Sequence, residues 1–316
     1  MKEERKAVVG ENMGESVEKL SQIEVLNKLR KNYRNTDVIW KICSVLSVVL
    51  AVLIIYMGYI GQFFGNGILR LILCVIAVLL IPFCLYILPF FLKMSSKFKA
   101  YNTEYKVNFL QHIIQKEFPK ANYKSEDKIS IREISECSMI KKARSANAND
   151  CIEGVYKGVD FLRCDMELTY KNSKKSSDCV LIACNNRTEL KSEIQIIQRS
   201  FTIGKESYEK PEEYAEYSTG NESFDKKFCV YVQDSDEASE FIDKKLMKKL
   251  TKFSGGGPIS AFFDKKKAYL VIRRKKDAME APIYKSIKES SSTRGGEKEA
   301  RIIREWIEIL DSCVVR

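Results

Sequence analysis

The sequence predicts an α+β protein in which an N-terminal two-helix transmembrane hairpin precedes a cytoplasmic, mainly antiparallel β-sheet domain with flanking helices. Two observations predict this fold class. Two long apolar runs without charge lie near the N-terminus, although 30% of the 316 residues are charged. From about residue 150, short segments rich in Val, Ile, Phe and Tyr alternate with turn residues, which is typical of strands joined by hairpins.

The two apolar runs, Ile42 to Ile60 and Leu71 to Leu92, contain no Asp, Glu, Lys or Arg. As helices they would be about 28 and 33 Å long, which is enough to cross a hydrocarbon core. A buried core helix explains two such neighbouring runs poorly, and a cleaved signal peptide would not follow 41 mostly polar residues. Pro82 and Pro89 are expected to bend the second span. Because neither span carries an ionisable acid or base, we expect an anchor and not a pore or carrier.

Positive charge flanks the apolar runs on one side only. The connecting loop carries Arg70 alone, whereas the outer flanks carry Lys28, Arg30, Lys31, Arg34 and Lys41 before the first run and Lys93, Lys97 and Lys99 after the second. Cytoplasmic segments are enriched in Lys and Arg. We therefore expect a multi-pass protein of the cell membrane with both termini in the cytoplasm, and the lipid bilayer as its first partner.

The chain divides into four segments on this basis. They are a cytoplasmic tail and amphipathic helix (1–41), the transmembrane hairpin (42–92), a membrane-proximal helix and connector (93–149), and the α+β domain (150–316). Within them, helical spacing of apolar residues predicts amphipathic helices at 15–33 and 94–118, the second ended by Pro119. Residues 1–14 are expected to form a mobile tail, and 122–149 an irregular stretch with a short helix near 131–140.

The sheet of the α+β domain is predicted from seven segments: 152–156, 159–168, 179–184, 194–201, 228–233, 259–263 and 269–273. Lys157-Gly158 and Asn172-Ser173 are expected turns. An acidic excursion is expected at 202–225. A helix capped by Ser235 follows, and Ile302, Ile303, Trp306, Ile309 and Leu310 form an apolar stripe near the C-terminus.

Sites for catalysis or metal binding have little support in the sequence. His112 is the only histidine, and the ten cysteines include no C-x-x-C pair. SGGGP at 254–258 lacks the ending of a phosphate-binding loop, and DSDEASE at 234–240 lacks the ligand spacing of an EF-hand. We therefore expect no cofactor, no metal and no recognised enzymatic activity, and reduced cytosolic thiols.

Basic residues are the remaining candidates for a site. An anionic lipid surface is a possible ligand of Lys93, Lys97, Lys99, Lys265, Lys266, Lys267, Arg273, Arg274, Lys275 and Lys276. The alternative for these residues is a solvated face. Nucleic acid is not expected, because no base-stacking motif accompanies the charge.

Four blocks carry a family resemblance: FPKANY (118–123), DCIEGVYKGVDFLRCDMEL (150–168), SFDKKFCVYVQDSDEASEFIDKKLMKKL (223–250) and ISAFFDKKKAYLVI (259–272). Over roughly Tyr101 to Leu310 the chain resembles a family of bacterial membrane proteins known only as a domain of unknown function. The resemblance implies a two-helix membrane hairpin, a cytoplasmic α+β domain and frequent occurrence near LemA-type proteins, but no activity or cofactor. CVLIACNN (179–186) departs from the aromatic-Lys-Gly strand that the family often has.

These features together predict a membrane-anchored, non-enzymatic interaction or scaffold module at the cytoplasmic face, with a protein partner. The alternatives are a module that responds to anionic lipid and, less favoured, an enzyme of unrecognised type.

Overall fold

The computed structural model describes residues 2–60, 67–125, 137, 143–170, 177–203, 206–207, 212–274, 279–287 and 289–313. The chain forms two compact units. The helical unit comprises Met1–Phe109 and Ala281–Ser292, and the sheet unit comprises Leu110–Glu280 and Thr293–Arg316. The chain therefore leaves the sheet unit at residue 281 and returns to it at 293.

The helical unit is built on one long helix, α1 (Lys2–Ile60). This helix runs without a break through the expected tail, the expected amphipathic helix and the first apolar run. Apolar side chains of its second half face outward, and Ile42 and Val45 are 53% and 62% exposed. Part of α1, Ser21–Met57, is long and apolar enough to span a membrane.

A second apolar helical stretch follows as α2 (Gly67–Pro82), a π-helical turn (Phe83–Ile87) and α3 (Leu88–Phe91). Proline lacks the N–H of the helical ladder and clashes with the preceding turn, so a wider π turn after Pro82 is the expected relief. α2 contacts α1. The indole N–H of Trp40 on α1 donates to the Cys84 carbonyl, 3.0 Å away.

The helix after the second apolar stretch begins at a break. Lys93 has a φ of 51°, a left-handed conformation that stops α3, and α4 (Met94–Thr103) then begins. A π-helical segment (Glu104–Leu110) and, in the sheet unit, α5 (Gln111–Glu117) complete the helical run. The expected helix at 94–118 and its end before Pro119 are thus confirmed.

The sheet unit contains a nine-stranded antiparallel sheet with the strand order β1-β2-β3-β4-β11-β10-β5-β9-β8. Its strands are β1 (Asn122–Lys124), β2 (Ala143–Tyr156), β3 (Val159–Tyr170), β4 (Ser177–Asn185), β5 (Ile194–Gln198), β8 (Ala215–Glu216), β9 (Phe228–Val232), β10 (Ile259–Phe263) and β11 (Lys267–Arg273). β6 (Thr202–Ile203) and β7 (Glu206–Ser207) form a separate two-stranded ladder. All seven predicted strands are present, so the α+β class with a large antiparallel sheet is confirmed.

The β2–β3 hairpin has the turn that the sequence predicts, but its first strand starts earlier than predicted. Lys157 and Gly158 have φ values of 49° and 74°, the conformation of a two-residue hairpin turn, as the sequence predicts. The strand β2, however, begins at Ala143, nine residues before the predicted start, where an irregular stretch was expected. The expected helix near 131–140 and the Asn172-Ser173 turn lie outside the described residues.

Helices cover one face of the sheet. They are α6 (Glu222–Lys227), α7 (Ser235–Phe241), α8 (Lys244–Lys252) and the last helix, α9 (Glu289–Leu310). On α9, the buried Trp306 ring lies 5.8 Å from the Phe263 ring of β10, which confirms the predicted C-terminal stripe as core. The opposite face of the sheet carries a second apolar cluster that includes Cys164, Leu181 and Tyr269.

The helix expected to start at Ser235 is two helices. Asp234, not Ser235, is the N-cap of α7, and its carboxylate accepts the Asp236 N–H at 2.9 Å. The chain leaves the helical conformation at Ile242, and Asp243 then caps α8 by accepting the Leu246 N–H at 2.7 Å. The acidic residues of DSDEASE therefore serve the start of α7.

Candidate functional site

An ionic and hydrogen-bonded cluster of the helical unit lies on α1 immediately before the first apolar run. The buried carboxylate of Asp37 accepts hydrogen bonds from Lys41, 2.8 Å away, and from the hydroxyl of Tyr284, 2.6 Å away. Lys41 also contacts the Tyr284 hydroxyl and lies over the ring, 5.0 Å from its centre. Thr36, which immediately precedes Asp37, accepts a hydrogen bond from Lys97 of α4 at 2.9 Å.

The same unit contains a short segment, Ala281–Ile287, that has no regular secondary structure and that we call the strap. The Asn27 side chain pairs with the backbone of Ile287, donating to its carbonyl at 2.8 Å and accepting its N–H at 3.0 Å. Arg30 of α1 donates to the Ile283 carbonyl at 3.2 Å, and Tyr101 of α4 donates to the Pro282 carbonyl at 2.7 Å. Polar side chains of two helices therefore hold the strap chiefly by its backbone.

The sheet unit contains a second ionic cluster, which is buried between β3 and α9. The fully buried guanidinium of Arg163 donates to Glu299 at 2.8 Å and to Asp165 at 2.7 and 2.8 Å. Arg274, after β11, donates to the other oxygen of Glu299 at 2.6 Å and to the Gly255 carbonyl at 3.0 Å. Opposite charges are thus matched at short distance in the interior.

The charged state of this buried cluster is fixed by its own members. Burial opposes ionisation of Glu299, but Arg163 and Arg274 more than offset burial, so the pKa of Glu299 lies below its ordinary value. Burial likewise opposes the charge on Arg163, and Asp165 and Glu299 outweigh it and raise the pKa of Arg163. Since each charged group is matched and shielded from water, the cluster is suited to holding α9 on the sheet and not to proton transfer.

A strained residue completes this cluster. The register of β2 against β3 breaks between Asn149 and Ile152, and Asp150 within the break has a φ of 49°. Its carbonyl accepts a hydrogen bond from Arg163 at 3.0 Å, and its buried carboxylate accepts one from the Tyr123 hydroxyl. The bulge therefore turns the Asp150 backbone toward the guanidinium.

The basic residues proposed for lipid contact belong to both units. Lys93 and Lys99 are exposed, and Lys97 is half-buried against Thr36. Lys265 and Lys266 are exposed, and Lys267 half-buried, at the turn between β10 and β11. Arg273 lies at the far end of β11, about 20 Å from Lys267 at the usual rise of a strand, and donates to Thr202.

Arg274 does not belong to a surface. Its side chain is only 7% exposed, because it is paired with Glu299. The structure therefore does not bring together the basic residues at the two ends of β11. Arg274 is also not part of a cationic face of the described residues. Lys275 and Lys276 lie outside the described residues.

The thiols and the histidine offer no assembled reactive site within the described part of the chain. His112 is exposed on α5, and no group of three or more His, Cys, Asp or Glu in that part is arranged to hold a metal ion. Burial raises the pKa values of Cys179 and Cys184, and burial raises that of Cys313 to about 12. These cysteines are therefore protonated and behave as apolar side chains at neutral pH.

Sequence reasoning missed both ionic clusters. A signal for the sheet cluster was available, because Arg163 and Asp165 point to the same face of β3 as the apolar Val159 and Phe161. Glu299 lies next to Ala300 near the apolar stripe of α9, which was a similar signal. No comparable signal marked the strap, since most of its contacts are made by backbone atoms.

Comparison with known proteins supports the family resemblance expected from the sequence. Residues 179–312 match a family model described as a protein of unknown function, DUF3137, so the resemblance to a domain family of unknown function is confirmed. No curated protein matches the chain. The crystal structure of the mycobacterial trehalose monomycolate transport factor A, TtfA, is similar at a TM-score of 0.34 and 9% identity, covering 63% of this chain and 96% of that one.

Proposed function

We propose that the protein is a membrane-anchored, non-enzymatic interaction module that presents its sheet unit at the cytoplasmic face of the cell membrane. In this proposal, α1 and the helical stretch 67–91 form the two-helix hairpin, and both termini are cytoplasmic. The observation that carries the proposal is the exposure of apolar side chains on both helical stretches: Leu46 and Val52 are 59% and 60% exposed, and Leu79 and Phe90 are 61% and 81% exposed.

The exposure favours a bilayer over a soluble core. A core helix of a soluble protein would be covered by protein, whereas the most apolar window of Ser21–Met57 is only 11% buried. Large exposed apolar areas need a membrane or a partner. The residues of α1 that are buried in the apolar run are small, as at Ser47 and Ala51, which suits close packing of two helices in lipid.

The cytoplasmic orientation follows from charge. Lys and Arg flank α1 and the second apolar stretch on their outer sides, and the positive-inside rule places those sides in the cytoplasm. Trp40, with its N–H bonded to the Cys84 carbonyl, would lie at the level of the head groups, where indole rings are favoured.

An interaction role is favoured over catalysis because the ionisable clusters are internally matched. Asp37 and Glu299 each accept hydrogen bonds from two partners. A shallow groove on the sheet unit, with Leu162 and Ala183 in its lining and Glu153, Asp160 and Lys267 around them, is a candidate contact surface for a protein partner.

Membrane insertion and orientation are tested together in whole cells. We expect the protein to stay in the membrane pellet after extraction at alkaline pH. Cys229, which is half-buried on β9, should react with a membrane-impermeant maleimide only after the cells are opened. Release at alkaline pH, or labelling of Cys229 in intact cells that a Cys229→Ser variant lacks, would overturn the proposal.

The interaction role is tested by crosslinking and purification of the full chain from detergent extracts, with an unrelated two-helix membrane protein as the control bait. The proposal expects a protein recovered by the full chain alone. Recovery of the same proteins by both baits would contradict it.

An anionic-lipid-responsive module is the second candidate, favoured by the exposure of Lys93, Lys99, Lys265 and Lys266. It requires that protein in nanodiscs bind added anionic liposomes more tightly than neutral ones and lose that binding at high salt. Binding that ignores lipid charge and salt would eliminate it.

A further inference from the structure

The strap is bound to the helical unit as a ligand is bound to a groove. Five side chains of α1 and α4 contact it, namely Asn27, Arg30, Asp37, Lys41 and Tyr101. The two ends of the strap contact α1 in the opposite order to the chain, with Ile287 at Asn27 and Tyr284 at Asp37 and Lys41. We call these five side chains the docking groove.

Most of this recognition is directed at the backbone. Asn27 hydrogen-bonds both the N–H and the carbonyl of Ile287, as a neighbouring β-strand would. Arg30 and Tyr101 each donate a hydrogen bond to a strap carbonyl. Two hydrogen bonds involve a side chain: the Tyr284 hydroxyl donates to Asp37 and accepts from Lys41. The groove therefore selects a non-helical segment with a tyrosine three residues before a buried aliphatic residue.

The strap has few apolar contacts to hold it. Ala281 and Ile287 are buried, whereas Lys285 and Ser286 are exposed and Tyr284 is 58% exposed. Segments with little buried apolar surface open at a lower free energy than the surrounding core. Local opening of the strap therefore does not require the helical unit to unfold.

An empty groove would be unfavourable. Arg30 is buried, and its hydrogen bonds go to the Asn27 side chain and to the Ile283 carbonyl of the strap. Loss of the strap removes that carbonyl from a buried cation and removes both backbone partners of Asn27. Since unpaired buried polar groups are costly, the open groove favours replacement of the strap by another segment that offers the same backbone groups.

We propose that the strap is a releasable latch that occupies, in the closed protein, a docking groove for a non-helical polypeptide segment of the form Tyr-x-x-aliphatic. This inference rests on the proposed interaction function and names the chemical class of the partner. Displacement of the latch by a partner segment, with the same backbone hydrogen bonds, would couple partner binding to a change in the helical unit.

A peptide binding experiment tests the groove. Full-length protein in nanodiscs is compared with a variant in which Ala281–Ile287 is replaced by seven Gly and Ser residues, and the probe is a fluorescent capped peptide APIYKSI. We expect saturable binding to the variant and at least about tenfold weaker binding to the natural chain, because the tethered strap competes at high effective concentration. A peptide with Phe in place of Tyr should bind the variant more weakly, and a scrambled peptide should not bind it.

Hydrogen exchange tests the latch in the natural sequence, whatever the fold of the replaced variant. The Ile287 amide should exchange faster than the amides of Ile302 to Leu310 in α9. Asn27→Ala should accelerate exchange at Ile287 by about tenfold, and Asn108→Ala, which removes an exposed side chain bonded to Glu104, should not. Three results would each overturn the latch. They are equal peptide binding by both chains, no peptide binding by a replaced variant that retains its helical content and sheet-unit stability, and exchange of the Ile287 amide at the rate of the α9 amides. Peptide binding and exchange at Ile287 measure neither the topology in cells nor the recovery of a partner, so failure here leaves the proposed function separately testable.

Discussion

The guanidinium of Arg163 on β3 lies 2.8 Å from a carboxylate oxygen of Glu299 on α9, and 136 residues separate the two in sequence. Both side chains are buried, and Asp165 and Arg274 complete the set of charges around them. A buried pair of this kind holds the helix in one position on the sheet. Removal of one partner leaves an uncompensated charge in the interior.

Glu299→Gln is expected to destabilise the sheet unit strongly. The change leaves Arg163 and Arg274 without their shared carboxylate and should lower the free energy of unfolding by about 3 to 5 kcal/mol. Urea unfolding of the full chain, followed by Trp306 fluorescence in a Trp40→Phe background, measures the change. Glu305→Gln is the matched control, because Glu305 forms only an exposed pair with Arg301 and should change the stability by less than about 1 kcal/mol. Equal effects of the two variants would refute the assigned role.

The stability of the sheet unit should also depend on acid through Glu299. Its pKa in the folded protein lies below the ordinary value of 4.5, because Arg163 and Arg274 outweigh burial. A depressed pKa stabilises the folded state above the ordinary pKa, and this contribution is lost as the pH falls through the folded value. The natural chain should therefore lose stability more steeply than Glu299→Gln below about pH 4.5 in urea unfolding at a series of pH values. Parallel curves for the two proteins would show that Glu299 does not contribute.

Thiol labelling should separate the cysteines of the sheet unit by burial. The neighbouring Cys151 thiol and burial raise the pKa of Cys164, and burial raises the pKa values of Cys179 and Cys184. We expect rapid maleimide labelling in nanodiscs at Cys229, which is half-buried, and labelling of the other three only after urea is added. Mass spectrometry of digested protein identifies the sites. Rapid labelling of Cys164 in the folded protein would contradict the buried placement.

Gly257 is expected to tolerate no side chain. A Cβ atom at this position would lie 1.9 Å from the Arg273 carbonyl oxygen, because the chain entering β10 passes close to the end of β11. Gly257→Ala must shift one of these backbone segments and should lower the free energy of unfolding by about 1 to 3 kcal/mol. Ser254→Ala, at an exposed position in the same turn, should leave it within about 0.5 kcal/mol. A neutral Gly257→Ala variant would show that the two segments are not packed this closely.

The strands that the sequence predicted correctly share one property. Segments such as Ile259–Phe263 are rich in β-branched and aromatic residues, so local preference and final structure agree. The start of β2, ARSANAND from Ala143 to Asp150, consists of small and polar residues with weak strand preference. Its place in the sheet is fixed by pairing with β3, which no local pattern records.

The candidate sites depended still more on distant contacts. The positive charges before the first apolar run were visible in the sequence, but the partners of Asp37 and Arg30 lie about 250 residues away, at Tyr284 and Ile283. Arg274 was predicted to be a surface cation because it stands in the run Arg273 to Lys276. Its neighbours in space, Glu299 and Gly255, make it an interior group instead.

The return of residues 281–292 to the helical unit has a consequence for biosynthesis. When α1 leaves the ribosome, the segment that bonds to Asn27, Arg30 and Asp37 has not yet been translated. The helical unit is therefore completed only after all the described strands of the sheet have been synthesised, and most of the last helix follows it. Ribosome-bound chains that end before residue 281 would carry α1 and α4 without the strap, so the N-terminal helices cannot reach their final structure until translation is nearly complete.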